Sequence, residues 1–86
     1  MYEVVYDNES LEFLGKLERS VAKRIWEKVN TSKKNPKHYF ERLVGREDFK
    51  LRIGDYRVIA DIDDALMKIE VTHIGHRKNV YSHTKP

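Results

Sequence analysis

The sequence predicts an α+β domain: an N-terminal strand, a two-helix hairpin and then a three-strand antiparallel meander, with the helices packed on one face of the sheet. Three observations predict it. Leu11, Leu14, Leu17, Val21, Ile25 and Val29 recur at helical spacing, with Ala22 and Trp26 widening the stripe. From Phe49 the period drops to two: Phe49, Leu51 and Ile53 alternate with Lys50 and Arg52, then Tyr56, Val58, Ala60 and Ile62 alternate with Arg57, Ile59 and Asp61. Short turns at Gly54-Asp55 and Asp63-Asp64 join the strand runs, so consecutive strands should be neighbours.

Taken in order, Tyr2-Glu3-Val4-Val5-Tyr6 is β-branched and aromatic and stops at Asp7-Asn8, a helix-start signal. The helical stripe is expected to break near residues 18–20, with Ser20 as an internal cap. Residues 30–37 are polar and contain Pro36, which no helix can run through, so they are expected to form a loop or a frayed end. Residues 40–45 read as a connector with a short turn. After Asp63-Asp64, Met67, Ile69 and Val71 alternate with Lys68, Glu70 and Thr72 as a further strand that Gly75 should end. The tail from Asn79 to Pro86 is too short for a stable helix.

The 86 residues fit one domain, residues 1–86, without repeats or a linker. A chain this short buries only about 60–65% of its unfolded surface, so a site should be a surface concavity rather than an enclosed cofactor cavity. The net charge of +3 favours nucleic acid or an acidic partner. No cysteine is present, which excludes a disulfide framework and thiolate metal sites. With no membrane-length apolar run and no signal-peptide pattern at Met1-Tyr2-Glu3-Val4-Val5, the expectation is a cytoplasmic protein without a membrane partner.

The chemistry concentrates in the hairpin from Lys50 to Ile59. A two-residue turn at Gly54-Asp55 sets Ile53 against Tyr56, Arg52 against Arg57, Leu51 against Val58 and Lys50 against Ile59. Like charges directly opposite one another are destabilising, so the opposed arginines point to a site that needs positive charge, or to a neutraliser such as Glu70. An ordinary solvated face is the bland alternative. A guanidinium binds two phosphate oxygens at once, which makes a sheet face carrying Lys50, Arg52 and Arg57 a phosphate cradle.

Other signals are weaker. His73 and His76 need not converge on a metal and have no matching carboxylate or thiol, so no metal or cofactor is expected. Asp61, Asp63 and Asp64 begin like a calcium loop, but Thr72 stands where its glutamate is required. Glycine-rich phosphate loops, nucleophile motifs and the exposed aromatics of an RNA-stacking sheet are missing. Trp26 reads as core or partner interface, and Tyr81 as either a packing residue or a ring folded back toward the basic face.

Lys50-Leu51-Arg52, Gly54-Asp55-Tyr56-Arg57-Val58-Ile59, the Asp-rich turn, Ile74-Gly75-His76-Arg77 and Val80-Tyr81 together resemble the RelE/ParE toxin superfamily over nearly the whole chain. The resemblance implies the toxin of a type II toxin–antitoxin pair, of the RelE-like branch that cuts mRNA in the ribosomal A site. It implies a RelB-like antitoxin, ribosome and mRNA as partners, and operator DNA through the antitoxin complex. On that pattern Lys50, Arg52, Arg57, Arg77 and Tyr81 are the catalytic residues, and Lys33, Lys34, Lys37, His76, Lys78 and His83 add substrate contacts. The chain departs from the pattern at Asp48, where another lysine is common, in the short Arg77–Tyr81 linker and in lacking a C-terminal helix. A ParE-like gyrase inhibitor and an inactive antitoxin-binding module stay open as alternatives. In RNA cleavage the 2′-hydroxyl is the nucleophile, so the enzyme must only orient, move protons and stabilise charge. Lys50, Arg52 and Arg57 can hold the phosphate, Tyr81 or a histidine can act as base, and Arg77 or Lys50 can assist the leaving oxygen.

Overall fold

Capping, turn chemistry and apolar period act together in the computed structural model, which describes residues 1–76. The elements are β1 (Glu3–Tyr6), α1 (Asn8–Lys16), α2 (Arg19–Thr31), a 3₁₀ turn (Ser32–Lys34), α3 (Pro36–Tyr39), β2 (Glu41–Arg42), β3 (Phe49–Ile53), β4 (Tyr56–Asp63) and β5 (Lys68–His76). Asp7 starts α1 by accepting the Ser10 N–H at 2.8 Å. The helical hairpin breaks at Leu17, whose extended backbone leaves the helix. Ser20 lies inside α2, not at its cap; Glu18 holds that position with no side-chain capping bond.

Residues 30–37 are more ordered in conformation than a loop. α2 continues to Thr31, the 3₁₀ turn follows, and Pro36 opens α3. Proline fits there because the first helical position has no intrahelical partner for an N–H. Buried Ser32 donates its hydroxyl to the Val29 carbonyl at 2.6 Å and so satisfies part of the α2 end.

The C-terminal meander forms as expected, but the whole sheet is mixed, in the order β1-β5-β4-β3-β2. β1 lies parallel to β5, and two residues of the expected connector pair with β3 as β2. Met67 sits in the turn before β5 with φ 51, and the Asp63 carboxylate caps that turn by accepting the Leu66 N–H at 3.0 Å. β5 continues past Gly75 to His76. It does so through a bulge: Ile59 pairs with His73 and Ala60 with Val71, leaving Thr72 as the extra residue. The bulge resets alternation, so Val71 and Ile74 both enter the core.

The helices cover one sheet face. Ile25 and Val29 of α2 pack with Leu51, Ile53, Val58, Ala60, Ile69, Val71 and Ile74. The helical stripe is wider than the buried face, leaving Leu11 and Trp26 about half exposed. Ile69 is fully buried at the middle of this core. Ile69→Ala should therefore lower unfolding free energy by about 2–5 kcal/mol, read from the urea midpoint at unchanged slope. Burial also pushes the Tyr6 phenol up to about 12. A raised pKa means stability fully present below about pH 10 and lost as pH rises through 12. An ultraviolet phenolate titration should show Tyr6 ionising late, with Tyr2 also raised by its hydrogen bond to Asp64; all tyrosines titrating together would contradict this.

The other sheet face is not wholly open. Ile59 and Leu43, the residue that follows β2, form a second buried cluster there. Among the described residues no helix is long and apolar enough to cross a membrane.

Candidate functional site

The site begins with the turn. Gly54 has φ 58, whereas Asp55 does not take positive φ, the pattern of a type II′ hairpin with glycine first. That turn fixes the register: Arg52 pairs with Arg57, and Lys50 with Ile59. Paired Cα atoms lie about 4.5–5.5 Å apart, so the two arginines are immediate neighbours on the face away from the helices. Lys50 lies on the same face one rung away, about 7 Å along the strand. On the far side of β4, Gly75 pairs with Arg57 and places no side chain beside it.

The two arginines differ in environment. Arg52 is exposed, but Arg57 keeps only 9% of its surface, so the pair the sequence sets opposite one another is unequal in exposure. β4 is central, with β3 and β5 flanking its side chains, and the Leu43–Ile59 cluster adjoins them. An Arg57 Nη donates to the Tyr56 carbonyl at 3.4 Å, and buried Nε has no hydrogen-bond partner among the described residues. A guanidinium held this way projects charge onto the surface with little solvent screening. At about 5 Å and an effective dielectric near 20, one such charge attracts an anion by roughly 3 kcal/mol.

Glu70 does not neutralise the pair. It lies opposite Asp61, five residues from Gly75 along β5, or about 16 Å. Toward the hairpin tip the face carries Arg52 and Arg57, with Lys50 opposite Glu41 one rung away; toward the other end Asp61 lies opposite Glu70 and Asp63 opposite Lys68.

The remaining sequence candidates scatter. His76 pairs with Tyr56, with ring centroids 5.6 Å apart, on the helix side where Tyr56 also meets Phe13 at 6.4 Å. Lys33 and Lys34 lie in the 3₁₀ turn beside the start of β1, where the Lys33 carbonyl accepts the Tyr2 N–H at 3.0 Å. Lys37 is committed to Asp64 at 2.8 Å, and Tyr2 donates its hydroxyl to the same carboxylate at 2.7 Å. Lys37 first, and Tyr2 after it, hold the Asp64 carboxyl below the usual range. Asp64 follows the end of β4, seven residues or about 23 Å from Arg57, so the structure does not bring these lysines to the arginines. Arg77, Lys78, Tyr81 and His83 lie outside the described residues. Among those described, no group of three or more His, Cys, Asp or Glu could hold a metal ion.

Two features had no clear sequence signal. Asp48 is clamped by Arg46 through bonds of 2.8 and 2.9 Å, which holds its carboxyl below the usual range and keeps it engaged. A contact across 30 residues is also new: the end of Arg24, from α2, rests on Gly54 at the hairpin tip, where an added Cβ would lie 3.1 Å from an Nη.

A family model of the ParE toxin of type II toxin–antitoxin systems matches residues 4–81. In fold the chain is similar to a chain of the RelBE2 toxin–antitoxin complex of Mycobacterium tuberculosis, with TM-score 0.81 and 23% identity over 88% of this chain and 98% of that one. It is similar also to the isolated RelE toxin of E. coli, with TM-score 0.77 and 22% identity over 98% and 95% of the two chains. The RelE–RelB complex of Pyrococcus horikoshii gives TM-score 0.73 and 20% identity over 88% and 94%. No curated protein matches the sequence.

Proposed function

Because the chain belongs to the ParE toxin family of type II toxin–antitoxin systems, within the RelE/ParE superfamily, we propose that it is a single-domain toxin that arrests translation by cutting mRNA on the ribosome without a metal ion. The observation that carries this reading is the rung of Arg52 opposite Arg57, with Lys50 one rung away on the same face. Opposed arginines cost stability in the absence of an anion, and a backbone phosphate supplies one. Arg52 presents its charge to solvent, half-buried Lys50 adds a cation on the same face opposite Glu41, and Arg57 supports the charge from below. On the family pattern Tyr81 is the base and Arg77 assists the leaving oxygen. A tyrosine near pKa 10 needs neighbouring cations to act as a base.

The partner that fits is a RelB-like antitoxin with an acidic or amphipathic segment, and operator DNA is reached through the toxin–antitoxin complex. Two observations favour a second reading, a gyrase inhibitor with no nuclease chemistry. The matching family model is that of ParE toxins, and Asp48, where a nuclease lysine is common, consumes the charge of Arg46.

Induction in cells separates the two. Early mRNA fragments with intact chromosomes support the nuclease. Early DNA breaks with intact mRNA support the gyrase inhibitor and overturn the nuclease.

A further inference from the structure

Arg24 is the cation that the family pattern of this site leaves unused. It leaves α2 beside the core residue Ile25, and its side chain reaches the β3–β4 turn. A Cβ built on Gly54 would lie 3.1 Å from one Nη, and 3.8 Å from both Cζ and the other Nη, so the whole guanidinium is seated on the glycine. A Cβ there would make the guanidinium give by a few tenths of an ångström. Gly54 thus serves twice, supplying the positive φ of the turn and the space in which Arg24 sits.

Nothing among the described residues explains the placement by pairing. The side chains of Arg24 and Arg52 make no ion pair there, and the carboxylate of Asp55, next in the turn, is not bonded to Arg24. Two cations therefore bracket the hairpin tip. Arg52 is two residues from Gly54, about 7 Å along the strand, a distance of the order of one nucleotide step.

We propose that Arg24 is a further RNA-binding residue, contacting a phosphate next to the one held by Arg52 and so directing the strand off the sheet face, over the hairpin tip and toward α2. The inference rests on the nuclease reading and adds to it the path of the substrate. Arg24 touches no reacting atom; it positions the strand. Its contribution is electrostatic and independent of base sequence.

The test is binding of a 2′-O-methyl oligoribonucleotide, which cannot be cut, to purified toxin across a series of salt concentrations. Each phosphate contact in a single strand contributes about 0.7 to the slope of log affinity against log salt. Arg24→Ala should lower that slope by about 0.7 and weaken binding several-fold at low salt, with an unchanged melting temperature. Arg24→Lys should restore the slope, because the contact needs charge more than the planar fork. Arg24→Gln, which keeps length and loses charge, should behave like the alanine variant. A wild-type slope in both Arg24→Ala and Arg24→Gln overturns the role of Arg24 and leaves the nuclease reading standing. Failure of the wild-type toxin to bind the oligonucleotide at any salt concentration overturns the role of Arg24, whereas the nuclease reading is overturned separately, by mRNA that stays intact after induction in cells.

Discussion

An mRNA with hydrogen in place of the 2′-hydroxyl at the scissile nucleotide should bind the toxin normally and resist cutting, with turnover falling below detection. The reason lies in what the site holds and what it has to do. Lys50, Arg52 and Arg57 form a face of cations, suited to neutralising a phosphate and its added charge in the transition state. On the nuclease reading the attacking oxygen comes from the RNA, and the product should end in a 2′,3′-cyclic phosphate. Cations on the protein stand where a metal would otherwise stabilise charge, so chelator should leave the rate unchanged. Single-turnover assays on ribosome-bound mRNA, with and without the deoxy substitution, check both statements. Efficient cutting of the deoxy substrate, or loss of activity to chelator, would sink the mechanism and return attention to His73 and His76.

The hairpin was the most legible part of the chain because its register depends on local information alone. Gly54-Asp55 specifies the turn, alternation assigns the faces, and Arg52 opposite Arg57 follows from both. The buried faces of Ile25, Val29, Leu51 and Val58 were legible for the same reason: a period is visible within ten residues. What failed to show was non-local. That β1 runs parallel to β5 depends on a crossover of some sixty residues, for which Tyr2-Glu3-Val4-Val5-Tyr6 carries no signal. The bulge at Thr72 has no composition cue, yet it decides that Ile74 faces the core and that Gly75 lies beside Arg57. Neutralisation by Glu70 failed because proximity in strand order says nothing about position along the strand. Lys33, Lys34 and Lys37 share a sign with the site but sit at the other end of the sheet, where Asp64 takes Lys37. Arg24 escaped because a side chain's reach to the β3–β4 turn is invisible to periodicity.

The depth of Arg57 sets the second large effect. Arg57→Ala should lower the cleavage rate by about 10²–10³, the range for removing one preorganised donor at developing charge. Its effect on stability should stay within about 1 kcal/mol because opposing contributions compete. Truncation loses packing, since the side chain is nine-tenths buried on a central strand. It also removes the repulsion with Arg52, about 0.2–1 kcal/mol, and a buried Nε without a partner among the described residues, about 1–3 kcal/mol. Arg57→Leu separates these contributions, since it keeps bulk and discards charge; it should melt at or above the wild-type temperature and still be inactive. Arg57→Lys retains the charge without the fork, and should recover only part of the rate if two phosphate oxygens are held at once. Urea midpoints and single-turnover rates for the three variants decide between function and structure. If Arg57→Leu and Arg57→Ala each lost more than about 3 kcal/mol, the guanidinium would be a structural element of β4, and the accessible charge of the site would reduce to Lys50 and Arg52.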